Sequence, residues 1–405
     1  MSFRSSRGLF AYAVFTALAT LGLICMGGLV TSKGVGMAVP DWPTSFGYNM
    51  FALPVNQWFH GGVFDEHTHR LWASTVGVLV VFLVRFLGGV ESRRPLAWIG
   101  AVEVALGASL LAVGPSWKGA GHFLMGIGGV VLLAALTGFR GQRAAAPLPT
   151  LGWLSFWAVQ IQGLLGGLRV VLDQWVVGDL TLGLILGLVH GCLGQGFFVL
   201  LGVIAFCLSP LWESISLSRP SGPGAGVPFW FGLGCGLVVL QLILGASMRH
   251  QHAGLAIPDF PTAYGRWWPD VDSESLVRYN QNRVDESSVT AFQILLQMAH
   301  RIGALAVVVS VGMSLGSARS RYGAASPVGR LAAVWLAIVL AQFALGASIL
   351  WTHKAADVAT AHVALGAAAL LTGTLLILVA RKLSLPECGT APVGVVPVFA
   401  ARSAR

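Results

Sequence analysis

Long apolar runs dominate this chain, and few folds can accommodate them. They lie at about 8–31, 67–90, 96–114, 120–139, 151–172, 180–208, 228–250, 291–315, 331–351 and 357–380. Each approaches the roughly 20 residues that a helix needs to cross the hydrocarbon core of a bilayer. In lipid every backbone polar group must be satisfied internally, so runs of this kind span as helices. Composition agrees: 55% of the 405 residues are hydrophobic and 10% are charged, against roughly 25% charged in a soluble domain. That excludes a water-soluble enzyme, a disordered chain and a secreted disulfide scaffold. The first run follows Arg4 and Arg7 but is too long for a signal-peptide core and lacks a small-residue cleavage site, so it reads as a helix. The fold class expected is an all-α polytopic membrane protein with about ten transmembrane helices.

The net charge of +9 does not call for nucleic acid, because the basic residues sit in short clusters between the apolar runs. The positive-inside rule accounts for them. A cytoplasmic N-terminus puts Arg4, Arg7, Arg93, Arg94, Arg140, Arg143, Arg219, Arg319, Arg321, Arg330, Arg381 and Lys382 on one side. Both termini are then cytoplasmic, and two long loops, about 32–66 and 251–290, face outward. The polar run from Asp270 to Ser288 reads as solvated loop. Cys25, Cys192, Cys207, Cys235 and Cys388 show no metal-binding spacing and read as small hydrophobes.

The chain also repeats itself. Residues 27–43, GGLVTSKGVGMAVPDWP, align without a gap to 245–261, GASMRHQHAGLAIPDFP, sharing Gly27/Gly245, Gly36/Gly254 and a Pro-Asp-aromatic-Pro run. A His-Arg pair follows in each half, His69-Arg70 and His300-Arg301. Next comes Gln-x-x-x-Gly, at Gln162/Gly166 and Gln342/Gly346, and then a helix with a central histidine, His190 or His362. Spans 1-2-5-6 and 7-8-9-10 thus form two parallel four-helix bundles related by a pseudo-two-fold axis along the membrane normal. The expected domains are 1–210, which includes an extra hairpin at about 96–139, then 228–382 and a cytoplasmic tail at 383–405. The hairpin carries Glu103-x-x-x-Gly107 and His122, like a further copy of the Gln/Gly-then-His unit.

Ionisable side chains within a bilayer are costly and mark functional sites. Two histidines per half, on separate helices of one bundle, suit axial ligation of a heme iron. Gly191, Gly194, Gly303 and Gly366 leave room for a flat macrocycle, although small residues also serve plain packing. Arg70, Arg169, Arg249 and Arg301 stand at the outward helix ends, where guanidinium groups suit heme propionates or simply snorkel to the interface. Three residues before His69 stands Glu66, whereas Gln297 precedes His300. A carboxylate can move a proton and an amide cannot. The asymmetry points to chemistry in the first half and an auxiliary cofactor in the second; the alternative is that Glu66 merely caps its helix.

Taken in order, GGLVTSKGVGMAVPDWP, EHTHRLWAS, QGLLGGLRVVL, LVHGCLGQGFF, GASMRHQHAGLAIPDFP, AHRIGA and VATAHVALGA resemble the heme A synthase family, membrane enzymes that convert heme O to heme A. The resemblance covers both halves and leaves out the extra hairpin, the loop centres and the tail. It implies successive hydroxylation of a porphyrin methyl group to a formyl group, with oxygen from water, supplying the heme of terminal oxidases. It implies that His69 and His190 flank the substrate heme, that His300 and His362 ligate heme b, and that Glu66 is the family's carboxylate. It further implies the inner (plasma) membrane as location, heme sites toward the outer side, and partners drawn from heme O synthase, an electron acceptor and a second copy of the chain.

Two departures stand out. Residues 32–66 lack the loop cysteine pair of some family members, and the extra hairpin makes His122 a rival to His190. The string around His190 favours His190. His60, His67, His250, His252 and His353 fall in loops or at helix ends, where solvated imidazoles are common. Trp42 and Phe260 either pack on a heme or anchor the interface. The intramembrane Glu103 has no partner that the sequence names. A diheme electron-transfer protein would need the same histidines without the carboxylate asymmetry. A transporter would show broken helices at mid-membrane instead.

Overall fold

The computed structural model describes residues 7–139, 141, 143–178, 180–215, 228–281, 283 and 288–384. Arg4, Arg140, Arg219, Cys388, residues 282 and 284–287 of the polar run and the expected tail from 385 onward lie outside the described residues. The helices are α1 (Arg7–Ser32), α2 (Val63–Gly88), α3 (Arg93–Val113), α4 (Lys118–Leu136), α5 (Leu148–Val171), α6 (Leu182–Cys207), α7 (Pro210–Ser214), α8 (Phe229–His250), α9 (Ser273–Gln281), α10 (Ala291–Tyr322), α11 (Pro327–Trp351) and α12 (Ala356–Ser384). Among the described residues, nine continuous stretches are long and apolar enough to cross a membrane. One of them, Val63–Val113, holds both α2 and α3, joined by a 3-10 turn at Gly89–Ser92. The chain is therefore an all-α polytopic membrane protein. Its only strands among the described residues are two hairpins of two-residue strands in loops.

The helices close into two rings. α1 packs on α2 and α6, and α5 packs on the same two; α8 packs on α10 and α12, and α11 packs on the same two. The rings meet through α1 against α12, α6 against α8 and α6 against α12. Exchanging the halves maps the first two of these contacts onto each other, as a two-fold axis requires. Each ring is filled by its own apolar core. Val76, Leu83, Phe156 and Leu201 belong to the first, and Phe231, Val311, Trp335 and Leu376 to the second. These cores lie one turn or more beyond the histidines, so the ring interiors near the long loops are left to the polar motifs.

Local chemistry sets the helix starts. Thr290 and Gln293 form a capping box at α10, and Ser326 accepts from Gly329 N ahead of Pro327 at α11. α2 begins at Val63, a turn earlier than expected, after Gly62 turns the chain at φ 85°. Glu66 consequently lies inside the helix. The polar run is not all solvated loop: Ser273–Gln281 forms α9, whose Tyr279 stacks on Tyr264 with ring centroids 3.6 Å apart. Its apolar residues recur at helical spacing, a signal masked by the high charge of the segment.

Candidate functional site

The four motif histidines occupy equivalent places. Each ring lies against a glycine of the neighbouring helix: a Cβ on Gly27 would stand 3.0 Å from Cε1 of His69. A Cβ on Gly166, Gly245 or Gly346 would stand 3.2 Å from Cε1 of His190, His300 or His362. One turn before these glycines stand Leu23, Gln162, Gln241 and Gln342. Gln162 Nε2 donates to the His190 carbonyl at 3.2 Å, and Gln241 Nε2 to the His300 carbonyl at 2.9 Å. Gln241 escaped the sequence reading, although it shows the same Gln-x-x-x-Gly spacing; its counterpart Leu23 hides the match. All four rings line one cavity. None of the four Nδ1 atoms makes a hydrogen bond of ordinary length, though the main chain of Leu23, Gln162 and Gln342 lies alongside the rings of His69, His190 and His362.

The loop motifs act as latches across each ring. Arg70 donates to the carbonyls of Val39 (2.8 Å), Asp41 (2.7 Å) and Thr44 (3.2 Å), and to Glu66 Oε1 (2.6 Å). Arg301 donates to the carbonyls of Ile257 (3.4 Å), Asp259 (2.7 Å) and Thr262 (2.8 Å), the same loop positions 218 residues later. Asp41 accepts from the Thr44 hydroxyl, Phe46 N (2.6 Å) and Gly47 N (2.9 Å). Asp259 accepts from Thr262 (2.6 Å), Tyr264 N (2.7 Å) and Gly265 N (2.9 Å). The turns behind them need positive φ at Gly47 (77°) and Gly265 (76°), where glycine carries no penalty. Glu66 Oε2 accepts from Val39 N at 2.8 Å, and Gln297 Oε1 from Ile257 N at 2.6 Å. The carboxylate and the amide thus hold the same backbone group.

This geometry revises several sequence expectations. Each terminal nitrogen of Arg70 donates twice, to its loop and Glu66, whereas Arg301 donates twice from Nη2 and once from Nη1 to its loop; both side chains latch their loops while lining the cavity. Arg249 Nη2 donates across the seam to the Gly28 carbonyl and to Ser32 Oγ. Arg169 also lines the cavity, and no hydrogen bond or ion pair claims its guanidinium among the described residues. His67 is fully buried, with Nδ1 3.4 Å from Ser45 Oγ and its ring edge-on to Trp58; the early start of α2 carries it inside. Glu103 has a partner, accepting from Gln160 Nε2 at 2.9 Å. Gly107 faces no histidine, because α3 and α4 approach so closely that its Cβ would meet the Gly121 carbonyl at 2.7 Å. His122 is exposed on its helix and lines the cavity wall. Trp42 packs edge-on to Phe123, and Phe260 edge-on to Phe343.

One continuous cavity of about 1800 Å³ runs through both rings and is lined by His69, His190, His300 and His362, together with Glu66. A site for a single small ligand measures roughly 300–1,000 Å³, so there is room here for two large ones. Among the described residues no group of three or more His, Cys, Asp or Glu side chains is arranged to hold a metal ion.

Fold and site together define a duplicated helical membrane protein that presents one pair of imidazoles per half to a shared cavity. Residues 119–375, more than half the chain, match the model of the COX15-CtaA family, described as cytochrome oxidase assembly protein, and the chain belongs to that family. It is also similar to a heme A synthase of Methylobacterium radiotolerans, with 34% identity over 161 residues, 39% of this chain and 42% of that protein. The matched region thus spans less than half of that relative's length.

Proposed function

We propose that this protein oxidises heme O to heme A, with residues 1–210 holding the substrate between His69 and His190 and residues 228–382 holding heme b between His300 and His362. The observation that carries the reading is the fourfold repeat of a histidine set against a glycine around one cavity. Membership of the family and similarity to a heme A synthase support it. The residues present fit such groups: imidazole is an axial ligand for heme iron, the opposing glycines leave the ring edges clear, and the cavity exceeds the needs of one ligand.

Converting a methyl to a formyl group takes up one water and releases four protons and four electrons, in two hydroxylation rounds. Bound heme supplies the redox chemistry, and the electrons leave to an acceptor outside this chain. The protein's own part is to hold and position. His69 and His190 orient the substrate plane, and Glu66, less than a turn from His69, is placed to take protons from water. Val39 N and Arg70 each use one lone pair of its two oxygens, and the remaining lone pairs can accept a proton. Arg169, whose guanidinium is not committed elsewhere, and Arg249 at the seam are the cations for propionates. The clusters of Arg and Lys support a reading in which both termini are cytoplasmic and the histidine end of each ring lies toward the outer side of the plasma membrane.

The test is chromatography of hemes extracted from cells that make heme O and express this chain. Heme A is expected with the natural sequence and absent with His69→Ala. No formylated heme from the natural sequence would overturn the proposal, and would favour a diheme electron carrier if a b-type spectrum persisted.

A further inference from the structure

The extra hairpin distinguishes the two halves, and what it covers differs too. Aligning His69 with His300 sets Ser74 and Gly77 of α2 opposite Leu305 and Val308 of α10. Aligning Gly166 with Gly346 sets Gly163 of α5 opposite Phe343 of α11. All six line the cavity. In the second half the same positions carry bulky side chains, with Leu305 56% exposed and Phe343 edge-on to Phe260 with centroids 6.0 Å apart. In the first half a Cβ on Gly77, Gly163 or Gly126 of α4 would meet nothing within 4 Å.

The small residues therefore leave a branch of the cavity rather than a close helix contact, and α4 walls it. Phe123, Ile127 and Val130 of α4 line the same cavity, as does Val81 of α2. From His69 to Val81 the branch follows α2 for roughly 18 Å at 1.5 Å per residue. The hairpin is pinned on both flanks. Trp42 packs on Phe123 with centroids 5.4 Å apart, and Gln160 of α5 donates to Glu103 of α3. At the head of the branch stands Gln162, 8% exposed, with Oε1 buried and unpartnered. Its counterpart Gln342 is open in the same way, so the branch and not the amide sets the halves apart.

We propose that α4 of the extra hairpin, with the small-residue faces of α2 and α5, forms an apolar channel for the farnesyl chain of the substrate. This rests on the assignment of heme O to the first half. Heme O differs from protoheme by a hydroxyethylfarnesyl group in place of a vinyl group. The chain is apolar and flexible and needs a long dry groove beside the macrocycle, and the hydroxyl at its root is a donor for Gln162 Oε1. The second half, with Leu305, Val308 and Phe343 at the equivalent positions, suits a macrocycle without such a chain.

The experiment titrates the purified full chain, its second half already loaded with protoheme, with heme O and separately with further protoheme, followed by difference spectra. In Gly77→Val/Gly163→Phe, which installs the second half's residues, the dissociation constant for heme O should rise more than tenfold, since excluding two methylene-sized groups already costs roughly that factor. Protoheme uptake by the first half should be unchanged. Equal weakening of both hemes, or no weakening of heme O, would overturn the channel. If that variant loses the b-type signal of the second half, Ile127→Trp, on α4 and outside both rings, makes the same comparison. Natural protein that binds heme O no better than protoheme also overturns the channel without touching the proposed reaction. Tight, tail-dependent binding with no heme A formed overturns the reaction and leaves the channel standing.

Discussion

At residue scale, position 66 carries the central contrast. Gln297 accepts from Ile257 N as Glu66 accepts from Val39 N, so the second half already shows that an amide can hold this loop. Glu66→Gln should therefore keep the fold and the heme content while turnover falls by about 10²-fold or more, the usual worth of a general base. Unchanged turnover would reduce Glu66 to a tether. The loop aspartates give a pH prediction. Burial would raise the Asp41 carboxyl, but hydrogen bonds from Thr44, Gly47 and Phe46 and the Arg70 charge outweigh it and hold it below its ordinary value. Asp259 is lowered in the same way, with burial outweighed by Thr262, Gly265 and Tyr264. A carboxylate lowered in the folded state stabilises fully above its unfolded value, about 3.9, and that stability is lost as pH falls through the folded value. Hydrogen-exchange protection factors at Phe46, Gly47, Tyr264 and Gly265 should hold from pH 7 to 5 and decline only in stronger acid. A decline between pH 7 and 5 would assign the loops to another titrating group.

At the scale of elements, the α3–α4 hairpin depends on glycine in both helices. A Cβ on Gly100 would meet the Gly128 carbonyl at 2.8 Å, and one on Gly107 the Gly121 carbonyl at 2.7 Å. Backbone cannot yield as a side chain can, and small residues at helix interfaces are what permit so close an approach in lipid. Gly107→Leu is expected to cost about 1–3 kcal/mol or more, seen as lowered thermal stability in detergent. The exposed Ala105→Leu, on the lipid-facing side of the same helix, should be close to neutral. If both behave alike, the glycine contact is not what holds the hairpin. The glycines facing the histidines are less tightly placed: a Cβ there would stand 3.0–3.2 Å from a ring that can shift slightly, and not against backbone.

At the scale of the molecule, two complete rings share one cavity but keep their own histidines. The seam runs through α1, α6, α8 and α12 and is crossed by Arg249 to the end of α1. Because His300 and His362 belong to one ring and His69 and His190 to the other, ligation should be separable. His300→Ala should abolish the low-spin b-type spectrum while heme O uptake by the first half persists, and His69→Ala should do the reverse. Loss of both signals in either variant would show that one ligand set spans the seam.

The helical membrane class, the duplication and the four motif histidines were all legible in the sequence. Lipid demands apolar spans of fixed length, and a gapless repeat displays its equivalent positions without reference to space. The offset of 218 even anticipated that Asp41 and Asp259 do the same work. What the sequence could not decide is which helix faces meet. Only the packing set each histidine against a glycine and showed Arg70 and Arg301 latching their loops. Only the packing buried His67, folded α9 within a charged run and laid α4 over Gly77 and Gly163. Those outcomes depend on which side chains meet across helices and loops, and hydropathy along one chain does not fix that.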